Sequence, residues 1–266
     1  MDNLNPLVSV IIPTKNSART LEKCLESIKN QSYQNIELIV VDNNSSDETK
    51  KIARKYTDKV FNFGPERSAQ RNYGAKQASG EYLLIHDSDI YFNQDSVKEC
   101  VDLTKKEECD AIILPEKSIG IGFWAEVKAY ERSFYVGNDY MEGARFFKKG
   151  IYEKLDGYDE NLYAGEDWDL TIRIREAGYR ISRTKLFLEH DEGNIDLLGS
   201  SRKKKYYASN FFEIYSKKHP KEFKKQMSFF IRFPLNMIIK KGVKYPILFS
   251  SMIFVKGLEY LNSIKK

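Results

Sequence analysis

Asp87 and Asp89, two apart with Ser88 between them, close the apolar run EYLLIHD (81–87). In an extended chain alternate side chains share a face, so both carboxylates are expected on one side. Two carboxylates so placed repel unless a positive group lies between them. A hard divalent cation, Mg²⁺ or Mn²⁺, suits them, because it takes oxygen ligands and keeps positions open for phosphate oxygens. The same triplet is also an ordinary polar turn. Asp42 ends a second apolar run, IELIVVD (36–42), and opens DNNSSD. It serves either as an acceptor for a nucleobase or ribose edge or as the head of an Asx turn. Gly165-Glu166-Asp167-Trp168-Asp169 puts carboxylates at a helix start, which capping and the helix dipole alone would explain.

These groups need elements to hold them. LVSVIIP (7–13) and IELIVVD are continuous, β-branched and apolar, as strands buried on both faces are. Between and after them the pattern predicts helices over 20–31, from about 47 to 56, and over 68–78. Strands are expected at 59–63 and 81–87. Such alternation implies a mainly parallel sheet with helices on both faces, where ligands sit at the carboxyl ends of strands. Thr14-Lys15-Asn16, Asp42-Asn43-Asn44 and Asp87-Ser88-Asp89 all fall there. Beyond residue 95 the spacing predicts a helix over 96–106 and strands at 111–115, 144–148 and 179–188. A further helix is expected over 167–177, stopped by Gly178, with 120–136 either helical or mobile.

VSVIIPTKN, VVDNNSSDET, RNYGAKQASGEYLLIHDSD and the GEDWDL segment resemble family 2 glycosyltransferases of the GT-A fold, over about residues 7–192. That resemblance implies an α/β, Rossmann-like, mainly parallel mixed sheet. It also implies an inverting enzyme using a nucleotide-diphosphate sugar and a divalent cation. Asp42 would recognise the base, Arg71 would lie near base or diphosphate, and Asp89 would be the main metal ligand. Asp87 would contact the ribose or the metal indirectly, with Pro13, Thr14, Asn16 and Ser88 also on the nucleotide sugar. Direct displacement at a sugar carbon needs a base for the acceptor proton; the family pattern puts it on Asp167, with Glu166 as the fallback. Glu142 and Gly143 resemble the acceptor segment, where Gly143 would allow close backbone approach to a sugar, and Trp168 could stack on one. His190 resembles a closing histidine that reaches the metal in many relatives. Two positions depart from the pattern: His86, and Asp156, where a glycine usually precedes Gly157-Tyr158-Asp159.

Aromatic residues make up 13% of the chain, which excludes a disordered polymer. The three cysteines show no C-x-x-C spacing, as expected of a reducing compartment. The charge is uneven. Residues 201–266 hold 16 Lys/Arg against 3 Asp/Glu, a net of +13, leaving 27 against 35, a net of −8, for residues 1–200. The charge divides an acidic body from a basic tail, and the resemblance implies that the body, 1–200, is a catalytic domain with a nucleotide-sugar half to about 95 and an acceptor half over 96–200. A basic, amphipathic helical extension would follow over 201–266. In it, apolar segments around 227–261 are broken by Arg232, Pro234, Lys256 and Glu259. They are too short to span a bilayer but suit a helix in the interface of an anionic membrane. The alternative is a helical pair packed on the body or on a second subunit. The short apolar run Leu7 to Ile12 is a poor secretion signal, so a cytoplasmic protein is expected, and a membrane position would put it at the inner face of the cell membrane, acting on a glycan or polyprenyl-phosphate-linked acceptor. Nucleic-acid binding has no supporting module. A catalytically inactive nucleotide-sugar-binding protein is the competing class; a nucleotidyltransferase would need a Gly-rich loop, which PTKNSA lacks.

Overall fold

Residues 5–195 and 211–264 are described by the structure, a computed structural model, with backbone alone from residue 260. The chain forms two units: Met1–Pro115 with Gly143–Glu189, and Glu116–Glu142 with His190–Lys266. The boundary expected near residue 200 lies outside the described residues, as do the four cations Arg202-Lys203-Lys204-Lys205 that open the basic extension.

In the first unit the order is β1 (Val8–Thr14), α1 (Leu21–Lys29), β2 (Ile36–Asp42), α2 (Thr49–Ala53), β3 (Val60–Asn62), α3 (Arg67–Gln77), β4 (Tyr82–Ile85), β5 (Ile90–Tyr91), α4 (Ser96–Lys106) and β6 (Ala111–Ile113). The second unit then contributes β7 (Glu116–Ile121) and α5 (Phe123–Arg132). The chain returns to the first unit as β8 (Ala144–Lys148), α6 (Lys149–Lys154), α7 (Glu166–Glu176) and β9 (Ile181–Arg183). β10 (Leu188–Asn194) leads back into the second unit, which continues from a π-helical turn at Phe211–Tyr215. There follow α8 (Ser216–Lys218), α9 (Pro220–Met227), α10 (Phe229–Arg232), α11 (Leu235–Lys244) and α12 (Pro246–Ile264).

Seven strands of the first unit form one mixed sheet, ordered β3-β2-β1-β4-β8-β6-β9. All seven residues of β1 are buried, as a strand covered on both faces requires. β1 runs parallel to β2 with Thr14 opposite Asp42, and parallel to β4 with Ile11 opposite Ile85. β8 runs antiparallel to both β4 and β6. The core joins Ile11, Ile39, Val41, Leu83 and Ile85 to Phe147, Tyr158, Leu170 and Ile174. Gly74 is what lets α3 lie so close to the sheet, since a Cβ there would meet Ile11 Cγ2 at 2.5 Å.

Several expectations need correction. β4 stops at Ile85, and the Ile90 N–H donates back to the Asp87 carbonyl across a turn. Asp87-Ser88-Asp89 therefore lies in a turn, and strand alternation does not govern where its carboxylates point. The single strand expected over 179–188 splits into β9 and β10. Between them the Lys185 and Leu186 N–H groups are held by Glu99. β7 takes Glu116–Ile121, so Gly120 and Ile121, at the start of the stretch expected as helical or mobile, are in a strand. Thr20, which its place before the first helix offers as a cap, makes no side-chain cap on α1, whereas Asp47, offered with Ser46 as the cap of the next, accepts at Oδ1 from the Thr49 N–H at 3.0 Å at the start of α2.

Candidate active site

Two of the three polar clusters meet where β1 and β2 end. Asp42 has no exposed surface and accepts from Thr14 Oγ1 at 2.9 Å, Ser45 N at 2.8 Å and Ser45 Oγ at 2.5 Å. The turn that DNNSSD foretold is thus formed, and Asp42 is its anchor. Asn16 takes a left-handed φ of 49°, and its Oδ1 accepts from the Ser46 N–H at 2.9 Å. Lys15 Nζ donates to the Asn43 and Asn44 carbonyls. Buried Gln70 of α3 donates to the carbonyls of Thr14 and Val41, tying both strand ends together. Pro13 occupies the strand position before Thr14 and supplies no N–H. The third cluster joins through Ser88 Oγ, which donates to Ser17 Oγ at 2.9 Å.

Arg71 is the centre of the charged site. Its side chain is wholly buried, a position tolerable for a cation only with partners. Nη2 lies 2.6 Å from Asp87 Oδ1, while Nη1 lies 3.0 Å from Glu166 Oε1 and 3.1 Å from Asp167 Oδ1. The guanidinium also lies over the Tyr158 ring at 5.0 Å. Arg67 adds contacts of 3.7 Å to Asp87 Oδ2 and to Glu166 Oε1. Arg145 of β8 lies 2.7 Å from Asp167 Oδ1. Three guanidinium groups thus face three carboxylates, and the formal charges cancel.

The three acids differ. Glu166 is only 5% exposed, against 20% for Asp167 and 21% for Asp87. Both guanidinium contacts to Asp167 fall on Oδ1, so Oδ2 takes neither. Burial pushes the Asp167 carboxyl up to about 6, with Arg145 resisting, Glu166 adding to the rise and Arg71 opposing it. Burial would also raise Asp87, but Arg71, then Arg67 and Arg145, outweigh it and hold that carboxyl well below the usual range.

For a cation the donor chemistry fits at Asp89. Asp87 has both oxygens turned to guanidinium groups, so it is the weaker donor. Asp89 is half-buried in the same turn. Buried Cys24 senses both acids: burial first, then the negative charges of Asp89 and Asp87, push its thiol up. Carboxylate oxygens are the hard donors that Mg²⁺ or Mn²⁺ takes.

Asp167 is placed by its backbone. Gly165 enters α7 with a left-handed φ of 79°, and the Asp169 N–H closes the first turn onto the Gly165 carbonyl at 2.8 Å. Asp169, fully buried, grips Arg173 at 2.7–2.9 Å, and Arg173 donates to the Leu155 and Gly157 carbonyls. Gly143 abuts the helix start, where an added Cβ would meet Asp167 Cβ at 2.9 Å. Its missing side chain therefore admits Asp167. Asp156, where a glycine was expected, does adopt a left-handed φ of 57°. Asn72 fixes the turn that follows, with bonds to Tyr152 Oη and to the Tyr158 N–H and carbonyl.

Sequence reasoning missed Arg67, Arg145 and Asn72. Arg145 carried a signal, a charge set between apolar Ala144 and Phe146 in the strand ARFFK. Glu142 and His190 belong to the second unit. Glu142 accepts from the Gly137 N–H at 2.9 Å. His190 Nδ1 lies 2.9 Å from Glu116, itself paired with Arg132. Trp168 is half-buried on α7. Among the described residues no group of three or more His, Cys, Asp or Glu is arranged to hold a metal.

The family described as Glycosyl transferase family 2 matches residues 9–160. An uncharacterized glycosyltransferase of Rickettsia typhi is 31% identical over 188 residues, covering 64% of this chain and 59% of that protein. Glycosyltransferase GlyA of Streptococcus pneumoniae is 30% identical over 210 residues, covering 76% and 28%. The chain thus spans less than two thirds of either relative. Mannosyltransferase PcManGT from Pyrobaculum calidifontis, solved with GDP-Man and Mn²⁺, superposes with a TM-score of 0.62 at 17% identity, over 97% of this chain and 81% of that one. TarS 1–349 from Staphylococcus aureus, solved with UDP-GlcNAc, gives 0.60 at 20% identity over 97% and 81%. At such identities the likeness is one of fold. The chain belongs to glycosyl transferase family 2 and has the GT-A fold.

Proposed function

We propose that the first unit transfers a sugar, with inversion, from a nucleotide-diphosphate sugar to a hydroxyl or phosphate acceptor. The observation that carries this reading is the state of Asp167. It is a solvent-reaching carboxylate raised towards neutrality, with Oδ1 clamped by two arginines and Oδ2 clear of both. A general base works best when its pKa approaches the working pH. The acceptor oxygen attacks the anomeric carbon as the bond to the diphosphate oxygen breaks. Asp167 Oδ2 takes the acceptor proton, and the nucleoside diphosphate leaves. Glu166 is too enclosed to meet an acceptor and serves to hold Arg71 and Arg67. The loop anchored by Asp42, with Pro13, Thr14, Asn16 and Ser88, would receive the nucleotide. A divalent cation on Asp89, with Asp87 beside it, would supply positive charge to the departing diphosphate. Trp168, on the same helix as the base, would meet the acceptor.

The GDP-Man and UDP-GlcNAc complexes of the structural neighbours support a GDP- or UDP-sugar as donor. The basic, apolar C-terminal helices support peripheral attachment to an anionic membrane at its cytoplasmic face. That position agrees with a glycan acceptor linked to a lipid such as a polyprenyl phosphate. Asp89→Ala tests the centre of the reading. Thermal shifts with UDP-, GDP-, dTDP- and CDP-sugars, with Mg²⁺ or Mn²⁺, identify the donor. In the variant, cation-dependent donor binding and sugar transfer should both vanish. Unchanged transfer and donor hydrolysis would overturn the reading.

A further inference from the structure

In the second unit the C-terminal helices present apolar side chains on two faces. One face is core: Phe233 and Met252 are buried, with Met237, Ile238, Leu248, Phe249 and Val255 packed beside them against Val127, Tyr130 and Phe134 of α5 and its end. The other face is open. On α11, Leu235, Ile239 and Val243 are 61%, 60% and 80% exposed, at a spacing of four that makes one stripe. On α12, Ile247 and Phe254 are 70% and 57% exposed, and Phe230 of α10 is 67% exposed. So many large apolar groups exposed on neighbouring helices mark a binding surface.

The charges that interrupt these segments in sequence do not interrupt this surface. Lys256 turns inward to Glu131 and to Glu259 at 2.9 Å. Lys241 donates to the Ser133 carbonyl and hydroxyl at 2.8 and 2.7 Å. Arg232 donates to the Gln226 carbonyl. The cations left outside, Lys240 and Lys244, each follow a residue of the apolar stripe on α11, and Lys221 and Lys224 are exposed on α9.

We propose that this face is a docking surface for an anionic lipid bilayer, with the apolar stripe of α11 and α12 entering the interface and Lys240 and Lys244 meeting the headgroups. Charge decides the occupant. A second copy docking through a two-fold axis would bring this lysine-bearing patch onto itself, with few acids in it to answer the charge. Residues 211–264 contain three acids, Glu213, Glu222 and Glu259, and Glu259 is held by Lys256. An anionic bilayer supplies the missing negative charge and the apolar phase together. The inference deepens the membrane part of the proposed function and is independent of the sugar chemistry.

The test is flotation of the full chain with phosphatidylcholine vesicles, with and without phosphatidylglycerol. The expected result is binding to the anionic vesicles alone, weakened by salt. Lys240→Gln with Lys244→Gln should reduce it by roughly 25-fold, about fivefold per lysine. Ile239→Ser, Val243→Ser and Phe254→Ser together should reduce it at least about tenfold, with the thermal melting point kept within a few degrees. Asp89→Ala should bind as the wild type does, so failure of the sugar chemistry and failure of docking are read separately. No binding of the wild type to anionic vesicles overturns the proposal, as does undiminished binding of the triple variant. A stable dimer in sedimentation that the triple variant dissolves also overturns it, in favour of a second copy.

Discussion

Arg145→Met isolates what sets the acidity of the base. Asp167 must be unprotonated to accept a proton, so transfer should fall as pH drops through about 6 in the wild type. Among the charges acting on Asp167, Arg145 resists the effect of burial most, from 2.7 Å. A hydrogen bond to a charged group contributes about 1.5–3 kcal/mol, and each pKa unit is about 1.4 kcal/mol. Methionine keeps the stem and removes the charge, so the Asp167 pKa should climb by about 1–2 units. At pH 7 the unprotonated fraction then drops from about nine tenths to between half and a tenth, and the rate falls about two- to tenfold. Above pH 9 most of that loss should be recovered. The assay is kcat/KM against pH, with thermal melting as the folding control, and Arg145→Lys should restore part of the wild-type midpoint. An acid limb that does not move in Arg145→Met would refute the assignment of Asp167 as base. A loss equal at every pH would do the same.

Asp167→Asn should bind donor and cation as the wild type does, while transfer falls about 10²–10⁴-fold; isothermal titration beside a turnover assay checks both halves. Gly143→Ala should lower stability by about 1–3 kcal/mol through overpacking against Asp167 Cβ, read by denaturant unfolding. The small gain that glycine-to-alanine changes give at unstrained sites would contradict the close approach. Arg71→Met leaves Asp87, Glu166 and Asp167 with one buried partner fewer. Breaking such a buried pair should cost about 3–5 kcal/mol, and a melting point unchanged within a degree would show that the cluster does not hold the fold.

Much of the frame was legible along the chain because its causes are local. The β-branched runs that became β1 and β2 are continuous, and α4 and β8 fall where their patterning put them. The Asx-type turn at Asp42 needs only Ser45, three residues on. Gly165 followed by acids marks the start of α7 by the same local logic. These features rest on backbone hydrogen bonds and side-chain spacing over a few residues, which a linear pattern records.

The charge cluster is of another kind. Arg71 and Asp167 stand 96 positions apart, and Arg145 and Asp167 stand 22 apart. Their pairing exists because α3, β8 and the start of α7 pack around one sheet, and no local period encodes it. The turn at Asp87-Ser88-Asp89 was likewise decided by where β4 stops pairing. Composition alone established a basic, apolar C-terminal segment. Tertiary structure decided that Lys256, Lys241 and Arg232 turn inward, because buried Glu131 and the Ser133 and Gln226 carbonyls accept from them there. With those charges turned in, an apolar run that looks broken in sequence leaves Leu235, Ile239, Val243, Ile247 and Phe254 exposed.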